Sequence, residues 1–72
     1  MCKITPIIFE ENGTFAGYAA ELPGAVGQGN TPDEVLDEIR SAVVELVEEY
    51  ARRGAAVPWR KFVVAEPIEV PV

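Results

Sequence analysis

Hydrophobic residues fall in short runs along the first part of the chain, then switch to a helical period between residues 35 and 50. Lys3 to Phe9 reads Lys-Ile-Thr-Pro-Ile-Ile-Phe, a β-branched and aromatic run that predicts a strand. Pro6 has no N–H to give to a ladder, so this strand lies at a sheet edge or turns that position outward. Glu10 and Glu11 lead into Asn12-Gly13, a hairpin signal because both residues accept positive φ. A second strand is expected over Thr14 to Leu22, with Phe15 and Tyr18 as its aromatics and Gly17 marking a bulge or a close backbone approach. Leu22-Pro23-Gly24 makes a tight turn, and Ala25 to Gln28 gives a third short strand. The three strands form an antiparallel meander.

The next segment, from Gly29 to Glu34, carries several helix-start signals at once. Thr31 is the expected N-cap, Pro32 the first helical residue, and Glu34 the acid that closes a capping box back onto Thr31. Val35, Leu36, Ile39, Ala42, Val43, Leu46, Val47 and Tyr50 repeat at i, i+3, i+4, i+7 and define one apolar face. Asp37, Glu38, Arg40, Glu45, Glu48, Glu49 and Arg52 occupy the other. The helix is expected to run to about Arg53, roughly 33 Å at 1.5 Å per residue, with Gly54 as its C′ stop.

Beyond a Val57-Pro58-Trp59 connector the pattern returns to strand-like. Ile68 to Val70 is the favoured fourth strand and Phe62 to Ala65 the other candidate. A strand following the long helix pairs most readily in parallel with the first, through a right-handed crossover. The expected fold is α+β in the order β-β-β-α-β: a three-stranded antiparallel meander, a fourth strand and one long amphipathic helix packed on one face. It forms a single domain over residues 1–72, with no separate DNA-binding domain.

Size adds a constraint. A 72-residue domain buries a modest share of its surface and is usually supported by disulfides, a metal or oligomerisation. Cys2 is the one cysteine and histidine is absent, which excludes an internal disulfide and a structural zinc site. Association between copies is the support left, as a dimer or tetramer. The short strand edges, Val44, Trp59 and Phe62 are the candidate contacts. A lone cysteine, no leader-like segment and no apolar run of about 20 residues point to the cytoplasm, away from any membrane.

Twelve acids against six basic residues give a net charge of −6. Such a surface repels phosphate backbones and favours a basic partner. Arg52, Arg53, Arg60 and Lys61, beside Trp59, read as a complement to the helix dipole and as partners for Glu48 and Glu49, not as a nucleic-acid site. No catalytic set is visible: Ser41 has no base and Cys2 lies at the terminus. Asp33, Asp37 and Glu38 sit on an outward helical face, where they diverge into water without forming a metal site. Gly24, Gly27 and Gly29 precede the helix, but Thr31 already caps it and Asp33 and Glu34 repel a phosphate there. The expectation is a non-enzymatic protein with no metal and no cofactor.

One stretch is more specific. Tyr18, then Leu22-Pro23-Gly24, then Gln28-Gly29-Asn30-Thr31 and Glu34, within the segment from Gly17 to Glu34, resembles the HicB family of antitoxins over about residues 3 to 53. The resemblance implies a three-stranded antiparallel sheet, one helix and a further strand, a partial RNase H-like fold. It also implies a function: binding a small basic RNA-cleaving toxin of the HicA type and blocking its active surface, in assemblies of dimers or larger. Many members carry a cysteine where this chain has Ala25, and many continue into an operator-binding domain where this sequence reaches Val72. Physics and resemblance agree on an acidic binding surface. Asp37, Glu38, Glu45, Glu48 and Glu49 are the residues expected to hold or steer a basic partner. The alternative is a stand-alone homo-oligomer of the same fold acting as an adaptor or small-ligand binder.

Overall fold

The computed structural model describes residues 2–61 and 66–72. Three strands, β1 (Pro6–Glu11), β2 (Thr14–Ala19) and β3 (Val26–Gly29), are followed by one helix, α1 (Pro32–Arg52). The sheet is antiparallel in the order β1-β2-β3, and α1 packs across one of its faces. The α+β class and the meander are those expected from the sequence.

Local chemistry sets each connection. Asn12 and Gly13 both adopt positive φ, 53° and 83°, and close the β1–β2 hairpin between Glu11 and Thr14. β1 therefore runs two residues past the predicted end, because Glu10 and Glu11 pair with Phe15 and Thr14. β2 stops at Ala19, short of Leu22, because the next residues turn. Ala25 donates to the Leu22 carbonyl at 3.2 Å across Pro23 and Gly24, and Gly24 has φ 94°.

The helix ends are equally local. Thr31 has an extended backbone, and its hydroxyl accepts the Glu34 N–H at 3.2 Å. The reciprocal half of the expected capping box is displaced: the Glu34 carboxylate accepts the Asn30 N–H at 3.1 Å, not that of Thr31. Asn30 follows an edge strand and its N–H faces away from the sheet, so it is the donor nearest the carboxylate. At the other end Gly54 has φ 68°. It donates to Ala51, and Ala55 donates to Tyr50, a Schellman closure of the helix.

Leu22, Ala25, Val35 and Ile39 are fully buried, with Ala19 and Val43 beside them. Ile4, Ile8, Phe15, Ala42, Leu46, Val47 and Val57 pack around this core. Leu36 and Tyr50, placed on the apolar face by their spacing, are half-buried. The helix sits close to the sheet because Gly17 and Gly27 face each other across β2 and β3 beneath Val35 and Ile39. Gly17 is thus a close approach and not a bulge, since the β1–β2 register is unbroken.

The fourth strand is a correction. Ile68 to Val70 is not a strand: it has no ladder partner among the described residues and is exposed, Ile68 at 82%. Pro67 and Pro71 bracket the segment and remove ladder donors on both sides, and Val72 donates to Val70 at 2.8 Å in a tight turn. The other candidate, Phe62 to Ala65, lies outside the described residues. Among the described residues no helix is long and apolar enough to cross a membrane.

Candidate functional site

The sequence spaces Asp37, Glu38, Ser41, Ala42, Glu45, Glu48, Glu49 and Arg52 three or four residues apart, which aligns them along one flank of α1. That flank lies beside β3. An open groove runs between them: Val26, Asp37, Glu38, Ser41, Ala42 and Glu45 line one part. Gly24, Ala42, Glu45, Leu46, Glu48, Glu49 and Arg52 line a second hollow that shares Ala42 and Glu45 with the first. Apolar and acidic side chains are mixed along both. All five acids singled out in the sequence are brought together here.

They are not equivalent. Glu38 reaches from the helix to the sheet, where its carboxylate accepts the Gln28 N–H at 2.8 Å. Asp37 pairs with Arg40 at 3.2 Å, on a surface exposed enough for the pair to add little stability. Glu49 holds Arg52 at 2.8 Å and Arg53 at 3.0 Å. The Arg52 hydrogen bond, with that from Arg53, draws the Glu49 carboxyl below its ordinary value, and Glu49 in turn raises Arg52. Glu45 and Glu48 make no hydrogen bond or ion pair among the described residues, although the Glu48 charge adds to the raising of Arg52.

The edge behind the groove follows from strand alternation. Ala19 donates to Ala25 at 2.8 Å, so the bonded pairs continue through Gly17–Gly27 and Phe15–Gly29. The N–H groups of Val26, Gln28 and Asn30 therefore point off the sheet. Glu38 takes that of Gln28 and Glu34 that of Asn30, and Val26 is left without an acceptor among the described residues.

The residues carrying the family resemblance are mostly scaffold. Leu22 is fully buried, and Pro23 and Gly24 form the turn. Gln28 is tied to Glu38, Gly29 lies against the Glu34 side chain, and Thr31 is the cap. Tyr18 differs. It stands on the sheet face away from α1, in a row with Ile7 and Val26 and next to Phe9, all four substantially exposed. The cue for this apolar outer face was Ile7-Ile8-Phe9, apolar at both strand parities, a pattern of strands covered on two sides.

Glu21 was also missed. Its carboxylate takes the Thr5 N–H and the Thr5 hydroxyl, each at 2.6 Å, and its carbonyl takes the Arg60 N–H at 2.6 Å. The Thr5 hydroxyl, then its N–H, hold the Glu21 carboxyl below its ordinary value. No local pattern signals a partner sixteen residues away.

Of the basic cluster, Arg52 and Arg53 pair with Glu49, not Glu48, and Arg53 lies 5.4 Å from the Tyr50 ring centre. Val44 and Trp59 are exposed at 57% and 45%; Phe62 lies outside the described residues. Among the described residues no three acids or thiols are grouped to hold a metal ion. The chain matches no protein-family model, no curated protein and no solved structure.

Proposed function

We propose that this protein is a non-catalytic binding module that holds a small basic protein in the groove between α1 and β3. One observation carries the reading: the five acids line two adjoining open hollows along one flank of α1, beside apolar side chains, and two of them, Glu45 and Glu48, make no hydrogen bond or ion pair among the described residues. Carboxylates beside apolar surface favour Arg and Lys side chains with their aliphatic stems. Asp37 and Glu49 can exchange their own arginines for those of a partner at little cost, because exposed pairs are weak. The HicB resemblance supplies the partner class, a HicA-type RNA-cleaving toxin whose RNA-binding surface is basic. The same reading places the protein in the cytoplasm, away from membranes and without direct nucleic-acid contact.

The test is recovery of the tagged protein at low salt from its native host. A stoichiometric small basic protein, with ribonuclease activity suppressed in the complex and released by the Glu45→Ser/Glu48→Ser variant, establishes the reading. A partner retained equally by that variant removes the groove from it. A second reading, a self-associating protein without a toxin, is favoured by the exposed outer sheet face.

A further inference from the structure

The two edges of the sheet differ. On β3, carboxylates from α1 occupy two of the outward donors. On β1, the bonded pairs with β2 are Ile7–Tyr18, Phe9–Ala16 and Glu11–Thr14, because Gly17 turns its own groups to β3. Pro6, Ile8 and Glu10 therefore face outward. Ile8 and Glu10 present N–H and carbonyl groups that bond to nothing among the described residues, and Pro6 presents a carbonyl alone.

We propose that two copies join through their β1 strands, antiparallel and centred on Ile8, to form one continuous six-stranded sheet from two three-stranded ones. The register is self-complementary. Ile8 faces Ile8 of the second copy and the two exchange both backbone bonds. Pro6 faces Glu10, whose N–H donates to the proline carbonyl, and this occurs twice. The missing proline N–H thus costs the pairing little, and four bonds form: two at Ile8 and one at each Pro6–Glu10 pair.

Side chains fit the same register. Ile7 and Phe9, exposed at 37% and 42% on the outer face, become direct neighbours of Phe9 and Ile7 across the axis. Glu10 and Glu11 lie opposite Pro6 and Thr5, so no acid directly faces an acid, which matters for a chain of net charge −6. The capped β3 edges then lie at the two ends of the joined sheet and stop it from growing. The inference is independent of the groove reading, because β1 and the groove lie on opposite edges of the sheet.

The experiment uses the full chain with Cys2→Ser, adding Ile8→Cys or Glu10→Cys, under mild oxidation. In the proposed register the residue-8 positions lie about 5.5 Å apart at Cα, within disulfide reach, and the residue-10 positions about 13 Å apart. Cross-linked dimer is expected from Ile8→Cys and not from Glu10→Cys. Sedimentation equilibrium provides the second arm. Glu10→Pro removes two of the four bonds and none within a copy, so the dimer dissociation constant should rise about 30-fold with an unchanged circular dichroism spectrum. The proposal is overturned by a monomeric wild type, by a dimer that Glu10→Pro leaves intact, or by cross-linking at both positions or neither. A dimer lost on removal of residues 67–72 but not by Glu10→Pro would instead assign the contact to the C-terminal segment.

Discussion

Gly27→Ala tests how closely α1 is held to the sheet. A Cβ at position 27 would lie 2.8 Å from the Glu38 Cβ, 2.9 Å from the Val35 carbonyl oxygen and 3.3 Å from the Ile39 Cγ1. Two of these neighbours are helix backbone or the first atom of a side chain, which cannot swing aside. Ordinary contact begins at 3.4 Å, so α1 must lift by about 0.6 Å at this point, the difference between 3.4 and 2.8. The lift loosens Val35 and Ile39, both fully buried, and stretches the Glu38–Gln28 bond. Overpacking of this kind costs roughly 2 to 3 kcal/mol, against a total stability of roughly 4 to 10 kcal/mol for a domain of this size. The melting temperature, followed by circular dichroism at 222 nm, should fall by about 10 to 20 °C. Gly13→Ala is the control: a Cβ there meets no atom within 4 Å, but φ is 83°, and the expected cost is about 1 kcal/mol. The sign is decisive. If the helix can retreat freely, alanine in a strand should be neutral or stabilising by about 0.5 to 1 kcal/mol. A Gly27→Ala melt within about 3 °C of wild type, or above that of Gly13→Ala, refutes the close-packing argument.

Four further outcomes are expected. Glu45→Ser/Glu48→Ser should slow association with a basic partner several-fold at low salt and flatten its salt dependence, measured by stopped flow, with dissociation less affected. Glu21→Gln should destabilise by about 1 kcal/mol, a small figure because both bonds to Thr5 are solvent-screened, as read by urea titration. Its pH dependence has a defined sign: the folded Glu21 carboxyl is held below 4.5, so the advantage of wild type over Glu21→Gln is full above pH 4.5 and shrinks as pH falls through the depressed value. Melts of both proteins between pH 3 and 7 check it, and a gap that persists at the acid end contradicts the assignment. Glu38→Ala should free the Gln28 N–H and produce species larger than the wild-type assembly in light scattering, whereas Glu38→Gln keeps an acceptor and should not.

Features governed by neighbours in sequence were legible in it. Asn12-Gly13, Leu22-Pro23-Gly24, Thr31-Pro32 and Gly54 each act within a few residues, and the structure uses all four as the sequence predicts. The helical period likewise located Val35, Ile39 and Val43 in the core. The failures are long-range. A period-two run at Ile68 and Val70 describes a strand that needs a partner, and the flanking prolines leave it too few donors to hold one. Glu34 and Glu38 carry the same local signal as any acid on a helix surface. Only the position of the β3 edge makes one accept from Asn30 and the other from Gln28. The helical period put the five acids on the polar face of α1, but how each is engaged depends on which arginines and amides lie within reach.

The small residues of the resemblance segment and its acids serve one arrangement. Gly27 and Gly29 let α1 approach β3 closely enough for Glu38 and Glu34 to reach the strand edge. With Cβ atoms there, the helix would stand off and two backbone donors would be left facing solvent. The same approach sets the width of the groove, since Val26 of β3 and Ala42 of α1 both line it. Closing the β3 edge to other strands and opening it as an acidic trough are therefore consequences of one helix–sheet distance. β1 has no helix residue reaching its outward groups, and it remains the edge at which another strand can add.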